Sequence, residues 1–180
     1  VTVTKNITVQ LDANGQVTIV PDDVDNGSSD NCGIVNKQLD KSFFTCGNLG
    51  DNTVTLTITD VSGNVSSETA IVTVEDNINP TLSLKTYTLE LDNNGNGTVF
   101  FNDINDGSSD NCTMASTVLT PSTFDCSTLG EQNISVTLTD QSGNTDTQII
   151  AITVVELVKP IIVSQNITLI LDALSQTNLT

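Results

Sequence analysis

Apolar and polar residues alternate over short segments of this chain. Residues 53–59 alternate threonine with valine, leucine or isoleucine, and residues 70–74 repeat an alternation of this kind. A period of two places one set of side chains on a single face of a β-strand. The turn-forming segment Asp60–Asn64 lies between the two stretches. The pattern therefore predicts an antiparallel hairpin with one buried face.

A second hairpin is predicted near the start of the chain. Its apolar positions alternate over residues 7–11 and 17–19, and the Asn-Gly pair within residues 12–15 suits a tight turn with positive φ. Shorter apolar runs follow around residues 34–39 and at Phe43 and Phe44. Six or seven short strands separated by regular turn signals are typical of an all-β sandwich. No segment predicts a helix.

The pattern repeats with a period of 80 residues. Cys112 follows Cys32 by 80 residues, Cys126 follows Cys46 by 80, and 29 of 80 positions are identical between residues 1–80 and 81–160. A fixed period indicates that one structural unit has been duplicated. We therefore expect tandem repeats over residues 1–80 and 81–160, with residues 161–180 beginning a third.

The charge of the chain is strongly negative. It has 22 acidic residues against 5 basic ones, a formal net charge of −17. Binding to nucleic acid is not expected, because it requires clustered cations. Membrane insertion is not expected either, since the apolar stretch 149–155 is far shorter than the roughly 20 residues needed to cross a bilayer. The acids either keep the chain soluble or converge on a hard cation.

The absence of histidine weakens most enzymatic interpretations, because histidine is the usual general base and a frequent metal ligand. A mechanism that uses carboxylates alone, such as glycoside hydrolysis, is the remaining alternative. The chain has no tryptophan and one tyrosine, so it lacks the aromatic surfaces that sugar clefts generally use. We therefore expect a protein without catalytic activity.

Four cysteines form two pairs with the same internal spacing. The repeat favours bonds within each unit, Cys32 with Cys46 and Cys112 with Cys126, so that each unit folds independently. Closing a 15-residue loop would contribute about 3 kcal/mol. A zinc site with four thiolates is the alternative. Disulfides indicate an oxidising, extracellular compartment.

Each unit carries an acidic loop that precedes its first cysteine, at residues 22–31 and 102–111. Carboxylate and amide oxygens at this density suit calcium, which takes six to eight oxygen ligands. The carboxylates proposed as ligands in the two loops are Asp23, Asp25, Asp30, Asp103, Asp106 and Asp110. The alternative is that these side chains only cap turns through hydrogen bonds to the backbone.

The segment that joins the units offers another cation site. Asp76 lies between Glu75 and Asn77, shortly before Pro80, and we expect it to meet loops of the next unit around a calcium ion. The corresponding segment 155–160 has fewer acids and a lysine, so the hypothesis applies to the first junction alone. The acids that begin the hairpin turns, Asp60 and Asp140, are interpreted as turn residues rather than ligands.

Several motifs resemble the hyalin repeat. They comprise residues 30–32, Phe44, Cys46, residues 52–64 and residues 72–76, with their counterparts in the second unit. The chain is similar to variants of this repeat in the large surface adhesins of gliding bacteria. The resemblance implies immunoglobulin-like sandwiches that act in adhesion at the cell surface, without catalysis. Many hyalin repeats have a further cysteine where this chain has residues 67–69.

These observations predict a structural stalk or filament of a secreted or surface-anchored bacterial adhesin, stiffened by calcium. Its partners would be the neighbouring repeats of the same chain and other copies in a filament. One alternative is that the repeats themselves bind carbohydrate or a surface, with calcium, and act by multivalency. Another is an accessory module of an extracellular hydrolase.

Overall fold

The computed structural model describes residues 1–166. Most of the predicted third unit, from residue 167 onward, lies outside the described residues. Twelve β-strands make up most of the secondary structure over this range, so the chain is all-β, as predicted. None of the helices in residues 1–166 has the length and apolar character that crossing a membrane requires.

The same elements occur in the same order in the first half (residues 1–80) and the second half (residues 81–160). In the first half they are β1 (Ile7–Gln10), β2 (Gln16–Thr18), α1 (Pro21–Val24), β3 (Ile34–Leu39), β4 (Phe43–Thr45), a 3-10 turn (Cys46–Asn48), β5 (Gly50–Asp60) and β6 (Val65–Glu75). In the second half they are β7 (Thr88–Glu90), β8 (Asn96–Thr98), α2 (Phe101–Ile104), β9 (Met114–Thr120), β10 (Thr123–Asp125), a 3-10 turn (Cys126–Thr128), β11 (Gly130–Asp140) and β12 (Thr145–Val155).

Each half contains a four-stranded sheet and a two-stranded sheet. The larger sheets have the orders β1-β6-β5-β3 and β7-β12-β11-β9, and the smaller ones pair β2 with β4 and β8 with β10. In these larger sheets β1 runs parallel to β6, and β7 runs parallel to β12. The other pairings within the larger sheets are antiparallel. Three antiparallel strands facing a second sheet correspond to the strand order of an immunoglobulin-like sandwich.

The predicted hairpin of long strands is confirmed in both halves. β5 pairs with β6 from Gly50↔Val74 to Thr59↔Val65, and β11 pairs with β12 in the same way. The alternating apolar side chains lie in two separate hydrophobic clusters, one in each half. Buried members of the first core include Phe44, Val54 and Leu56.

The hairpin predicted near the start of the chain is wrong, although its turn is present. The Asp12 carboxylate accepts hydrogen bonds from the backbone amides of Asn14 and Gln16, which closes the turn. Beyond it the two strands enter different sheets, because β1 pairs with β6 and β2 pairs with β4. Alternation shows that a segment is a strand, but it does not show which strand pairs with it.

The structure also contains two helices that the sequence pattern does not predict. Each is a single turn of four residues, α1 and α2, and places one apolar residue, Val24 or Ile104, in the core. Asp23 accepts a hydrogen bond from the amide of Val20 at 2.7 Å, and Asp103 does the same for Phe100. A single turn is too short for a 3.6-residue period to be visible in the sequence.

Candidate metal centre at the junction between the halves

The segment after β6 is held against the hairpin turn of the second half. The side-chain amide of Asn144 donates hydrogen bonds to the carbonyl oxygens of Asp76, at 3.0 Å, and Ile78, at 3.2 Å. Further along, the backbone amide of Leu82 donates to the carboxylate of Asp146 at 2.8 Å. Pro80 is buried between these contacts. Residues of the β11–β12 hairpin therefore bind the connecting segment both before and after Pro80.

A disulfide bond crosses the same junction. Cys46 is bonded to Cys112, with the two Cα atoms 5.5 Å apart, whereas Cys32 and Cys126 are free and exposed. The predicted bonds Cys32–Cys46 and Cys112–Cys126 are therefore wrong. The 3-10 turn that carries Cys46 lies at the end of the first half that faces the second half's acidic loop. The loop brings Cys112 to Cys46, while Cys32 belongs to the corresponding loop of the first half.

Close backbone packing surrounds this disulfide. Gly15 has φ +69°, and a Cβ at this position would lie 2.5 Å from the sulfur of Cys46 and 2.6 Å from the carbonyl oxygen of Asn111. The Asn111 side chain donates to the carbonyl of Asp12 at 3.3 Å and to the carboxylate of Asp76 at 3.0 Å. The second half's loop thus docks into a surface formed by the first half's turn and its last residues.

Three carboxylates from the two halves meet beside the disulfide. Asp76 ends the first half, Asp110 lies in the second half's acidic loop, and Asp140 begins the β11–β12 turn; each offers an oxygen within 4.8 Å of the others. Only 4% of Asp76 and 2% of Asp140 is exposed. Among residues 1–166 this is the one cluster of at least three potential metal-ligating residues.

The electrostatics of this cluster favour a bound cation. At an effective dielectric of about 20, two ionised carboxylates whose oxygens lie within 4.8 Å of each other repel by about 3.5 kcal/mol or more. Buried oxygens of Asp76 (Oδ2), Asp110 (Oδ1) and Asn111 (Oδ1) have no hydrogen-bond partner. Unpaired buried oxygens are costly, and carboxylate and amide oxygens are the donors that calcium prefers. The three carboxylates therefore offer ligands of the type that calcium takes, as part of a set of six to eight.

The predicted ligands of the first acidic loop are not brought together. Asp23 caps α1, and Asp30 accepts a hydrogen bond from the amide of Cys32 at 2.9 Å. Asp25 accepts from the amide of Ser28 at 2.9 Å and from the ammonium group of Lys37 at 2.6 Å. The side chains of this loop therefore bind backbone amides and a lysine, in agreement with the alternative that they cap turns.

In the second acidic loop, Asp110 has surroundings that its counterpart Asp30 lacks. Asp103 caps α2, and Asp106 lies on the exposed side of the loop. One oxygen of Asp110 accepts from the amide of Cys112 at 2.9 Å, as Asp30 does for Cys32. The other oxygen of Asp110 is buried beside Asp76 and Asp140. Of the seven predicted metal ligands, the structure therefore brings together Asp76 and Asp110.

The Asp25 carboxylate is the most perturbed acid of the first loop. Burial raises its pKa, but hydrogen bonds from Lys37 and Ser28 outweigh burial and lower the pKa to about 2. The second half has Asn105 at the equivalent position, and its side-chain oxygen accepts from Ser108 in the same way. The Asp25–Lys37 ion pair is therefore specific to the first half.

Asp140 belongs to the cluster although the sequence pattern predicts a turn residue at this position. It is also a turn residue: its carboxylate accepts hydrogen bonds from both the backbone and the side chain of Asn144 at 2.8 Å. Its equivalent, Asp60, serves the same turn without belonging to a cluster. Asn111 lies within the acidic loop 102–111, whose amide oxygens are among the predicted ligands, and its counterpart in the first half is Asn31. No signal within one unit could show that these positions face a neighbouring unit.

Comparisons with known proteins yield structural similarity without a family assignment. No protein-family model and no curated protein matches the chain. The human protocadherin-24 EC1-2 structure has 12% identity and a TM-score of 0.40, and the match covers 85% of this chain and 95% of that one. Human mucin-like protocadherin EC1-2 has 14% identity and a TM-score of 0.39, covering 86% and 96%. The fibronectin(III)-like modules of Clostridium thermocellum CbhA have 11% identity and a TM-score of 0.31, covering 85% and 91%.

Proposed function

We propose that this chain is part of a tandem array of immunoglobulin-like β-sandwiches, with units at residues 1–80 and 81–160, that serves as the stalk or filament of an extracellular bacterial adhesin. The observation that carries the proposal is the junction. A disulfide links the two halves between their separate cores, and carboxylates from both halves meet beside it. Restricting movement at every joint is what an extended spacer requires.

Further support comes from composition and from sequence resemblance. Stable disulfides are typical of secreted proteins, because the cytosol keeps thiols reduced. The resemblance of residues 52–64 to the hyalin repeat supports a cell-surface adhesin, including the adhesins of gliding bacteria. A strongly negative surface keeps long arrays soluble by self-repulsion. Repulsion among the carboxylates that meet at the junction also makes the stability of this junction dependent on a cation.

In this function calcium would bind Asp76, Asp110, Asp140 and the side-chain oxygen of Asn111. The ion would neutralise the mutual repulsion of the carboxylates and satisfy the buried oxygens that have no hydrogen-bond partner. Because the ligands come from both halves, binding would resist bending of the junction. Calcium is thus proposed as a structural ion, and carbohydrate binding is not required.

Calcium titration of the oxidised chain tests this proposal. We expect one site per chain, with a dissociation constant on the order of 10⁻⁴ to 10⁻³ M, as in other extracellular modules. At ten times this concentration the ion would stabilise the folded chain by about 1.4 kcal/mol. The melting temperature should then rise by roughly 3 to 6 °C over that in a chelator.

Matched variants locate the site. Asp140→Asn should abolish the calcium-dependent rise in melting temperature, because it removes a buried ligand charge and keeps the shape of the side chain. Asp60→Asn changes the equivalent turn of the first half, which lies outside the cluster, and should leave the rise intact. An identical melt in calcium and chelator for the unmodified chain would rule out the calcium site. Saturable binding of a glycan would instead support the alternative function.

A further inference from the structure

The chain contains four Asn-Gly pairs, at residues 14–15, 26–27, 94–95 and 96–97. In such a pair the backbone nitrogen of the glycine attacks the side-chain amide carbon of the asparagine. Glycine favours this attack because it has no Cβ to shield the nitrogen or to restrict its approach. Since the four pairs consist of the same two residues, the fold decides which of them reacts.

Two of the pairs are restrained by the turns that precede β2 and β8. The backbone amide of Gly15 donates to the carbonyl of Asp12 at 2.8 Å, and that of Gly95 donates to the carbonyl of Asp92 at 2.9 Å. Gly15 is also buried, and Gly95 is half-buried. Each nitrogen must give up its hydrogen bond before it reaches the side chain, and the turn opposes that movement.

A third pair, Asn96-Gly97, is restrained by the small sheet. Both residues lie in β8, where they pair with Asp125 and Phe124 of β10. A Cβ on Gly97 would lie 2.9 Å from the side chain of Leu89, so the backbone is packed closely at this point. Ring closure requires the backbone to leave the extended conformation, and strand pairing holds it there.

The Asn26-Gly27 pair has none of these restraints. Both residues are exposed. Gly27 has φ +85°, and nothing lies within 4 Å of the position that its Cβ would occupy. Among residues 1–166 no backbone carbonyl accepts a hydrogen bond from the Gly27 amide. The loop is held on either side of this glycine, because the amide of Asn26 donates to Val3 and that of Ser28 donates to the Asp25 carboxylate, both at 2.9 Å.

The second half shows that this exposure persists when another unit is packed against the loop. The equivalent residues, Asp106 and Gly107, are exposed although Cys112 of the same loop is bonded to the first half. Gly107 has φ +91° and equally open surroundings. Exposure at this position is therefore a property of the loop. Asp106 also shows that the loop accommodates a carboxylate there.

We propose that Asn26 is a site of spontaneous modification, where the side-chain amide is converted to aspartate and isoaspartate through a cyclic imide with Gly27. The Gly27 nitrogen loses its proton to hydroxide and bonds to Cγ of Asn26, and the side-chain nitrogen leaves as ammonia. Water then opens the ring. Cleavage at Cγ gives aspartate, and cleavage at the backbone carbonyl carbon of residue 26 gives isoaspartate. Overall one water is consumed and one ammonia is released, without oxidation or reduction.

The modification changes the charge and the backbone of the first acidic loop. It adds a carboxylate next to Asp25, which pairs with Lys37 at 2.6 Å. The aspartate product has the residue type that the second half carries as Asp106, so it should keep the loop conformation. The isoaspartate product lengthens the backbone between Asp25 and Ser28 and should weaken the hydrogen bond that joins them.

Peptide mapping of the native chain tests this proposal. The oxidised protein is incubated at mildly alkaline pH in water enriched in oxygen-18, digested, and analysed by mass spectrometry at each Asn-Gly pair; isoaspartyl methyltransferase labels the isoaspartate. We expect Asn26 to convert about tenfold faster than the other three asparagines, which corresponds to about 1.4 kcal/mol of additional barrier at the restrained pairs. In concentrated urea with reductant the four rates should become similar. Equal rates in the native chain, or faster conversion at another pair, would overturn the proposal.

Two matched variants assign the reaction. Asn26→Gln should remove the isoaspartate signal of the first acidic loop, because glutamine would have to close a larger ring. Asn94→Gln, at an exposed position of a restrained pair, should leave that signal unchanged. A signal that persists in Asn26→Gln would contradict the assignment. Neither residue belongs to the carboxylate cluster or the disulfide, so calcium-dependent melts of both variants report separately on the proposed function.

Discussion

Removal of the Cys46–Cys112 bond by the double substitution Cys46→Ala/Cys112→Ala should destabilise the chain substantially. The bond links residues 66 positions apart, so in the chain-entropy model it stabilises the folded state by about 4 kcal/mol. A bond within one unit, over a 15-residue loop, would contribute about 3 kcal/mol. With a urea dependence of about 2 kcal/mol/M, the expected loss moves the unfolding midpoint down by roughly 2 M.

The assay is urea unfolding of monomeric protein without reductant, followed by far-ultraviolet circular dichroism. The matched control is Cys32→Ala/Cys126→Ala, which removes two exposed free thiols and should leave the midpoint unchanged. A loss below about 1 kcal/mol for the first variant would refute the reasoning from loop closure. An equal loss for both variants would indicate bonds within each unit instead.

Three further predictions concern individual residues. Gly15→Ala should cost several kcal/mol in urea unfolding, because its Cβ would lie 2.5 Å from the disulfide sulfur, while Gly27→Ala, with φ +85° and open space, should cost less. Leu56→Ala should lower the free energy of unfolding by about 2 to 5 kcal/mol through loss of a fully buried side chain; full stability would contradict its place in the core. Lys37→Met should raise the pKa of Asp25 from about 2 towards 3.8, which a carboxyl carbon-13 titration measures. Because the folded pKa is lowered, the stabilisation is present above pH 3.8 and is lost as the pH falls through about 2; an unchanged pKa would exclude the ion pair as its cause.

Strand positions follow from the sequence because they depend on local chemistry. The β5–β6 hairpin is visible in the alternation of residues 53–59 and 70–74, since a pleated strand with one buried face requires that period. The turns at Asp12 and Asp60 are also visible, because an aspartate carboxylate binds backbone amides of its own turn. Helices of one turn and the pairing of β1 with β6 leave no comparable local signal.

The metal cluster depends on how one half of the chain is placed against the other. The sequence predicts Asp76 and Asp110 as calcium ligands, but it predicts five other aspartates equally, and these instead cap turns, form an ion pair or remain exposed. Asp140 and Asp60 have the same local role in equivalent turns. Asp140 differs from Asp60 because it is buried beside Asp76. This burial arises only when the two halves are packed together.

The pairing of the cysteines is the clearest feature that the sequence leaves undetermined. A period of 80 residues establishes that Cys32 and Cys112 are equivalent positions, and that Cys46 and Cys126 are too. Equivalence alone permits Cys46 to bond with the cysteine of its own unit or with that of the next, because both partners have the same local sequence. The structure selects Cys112, since the turn at Gly15 and the end of β6 form a surface that receives the next loop. The strands of each half are therefore encoded in local pattern, whereas the junction arises from the packing of one half against the other.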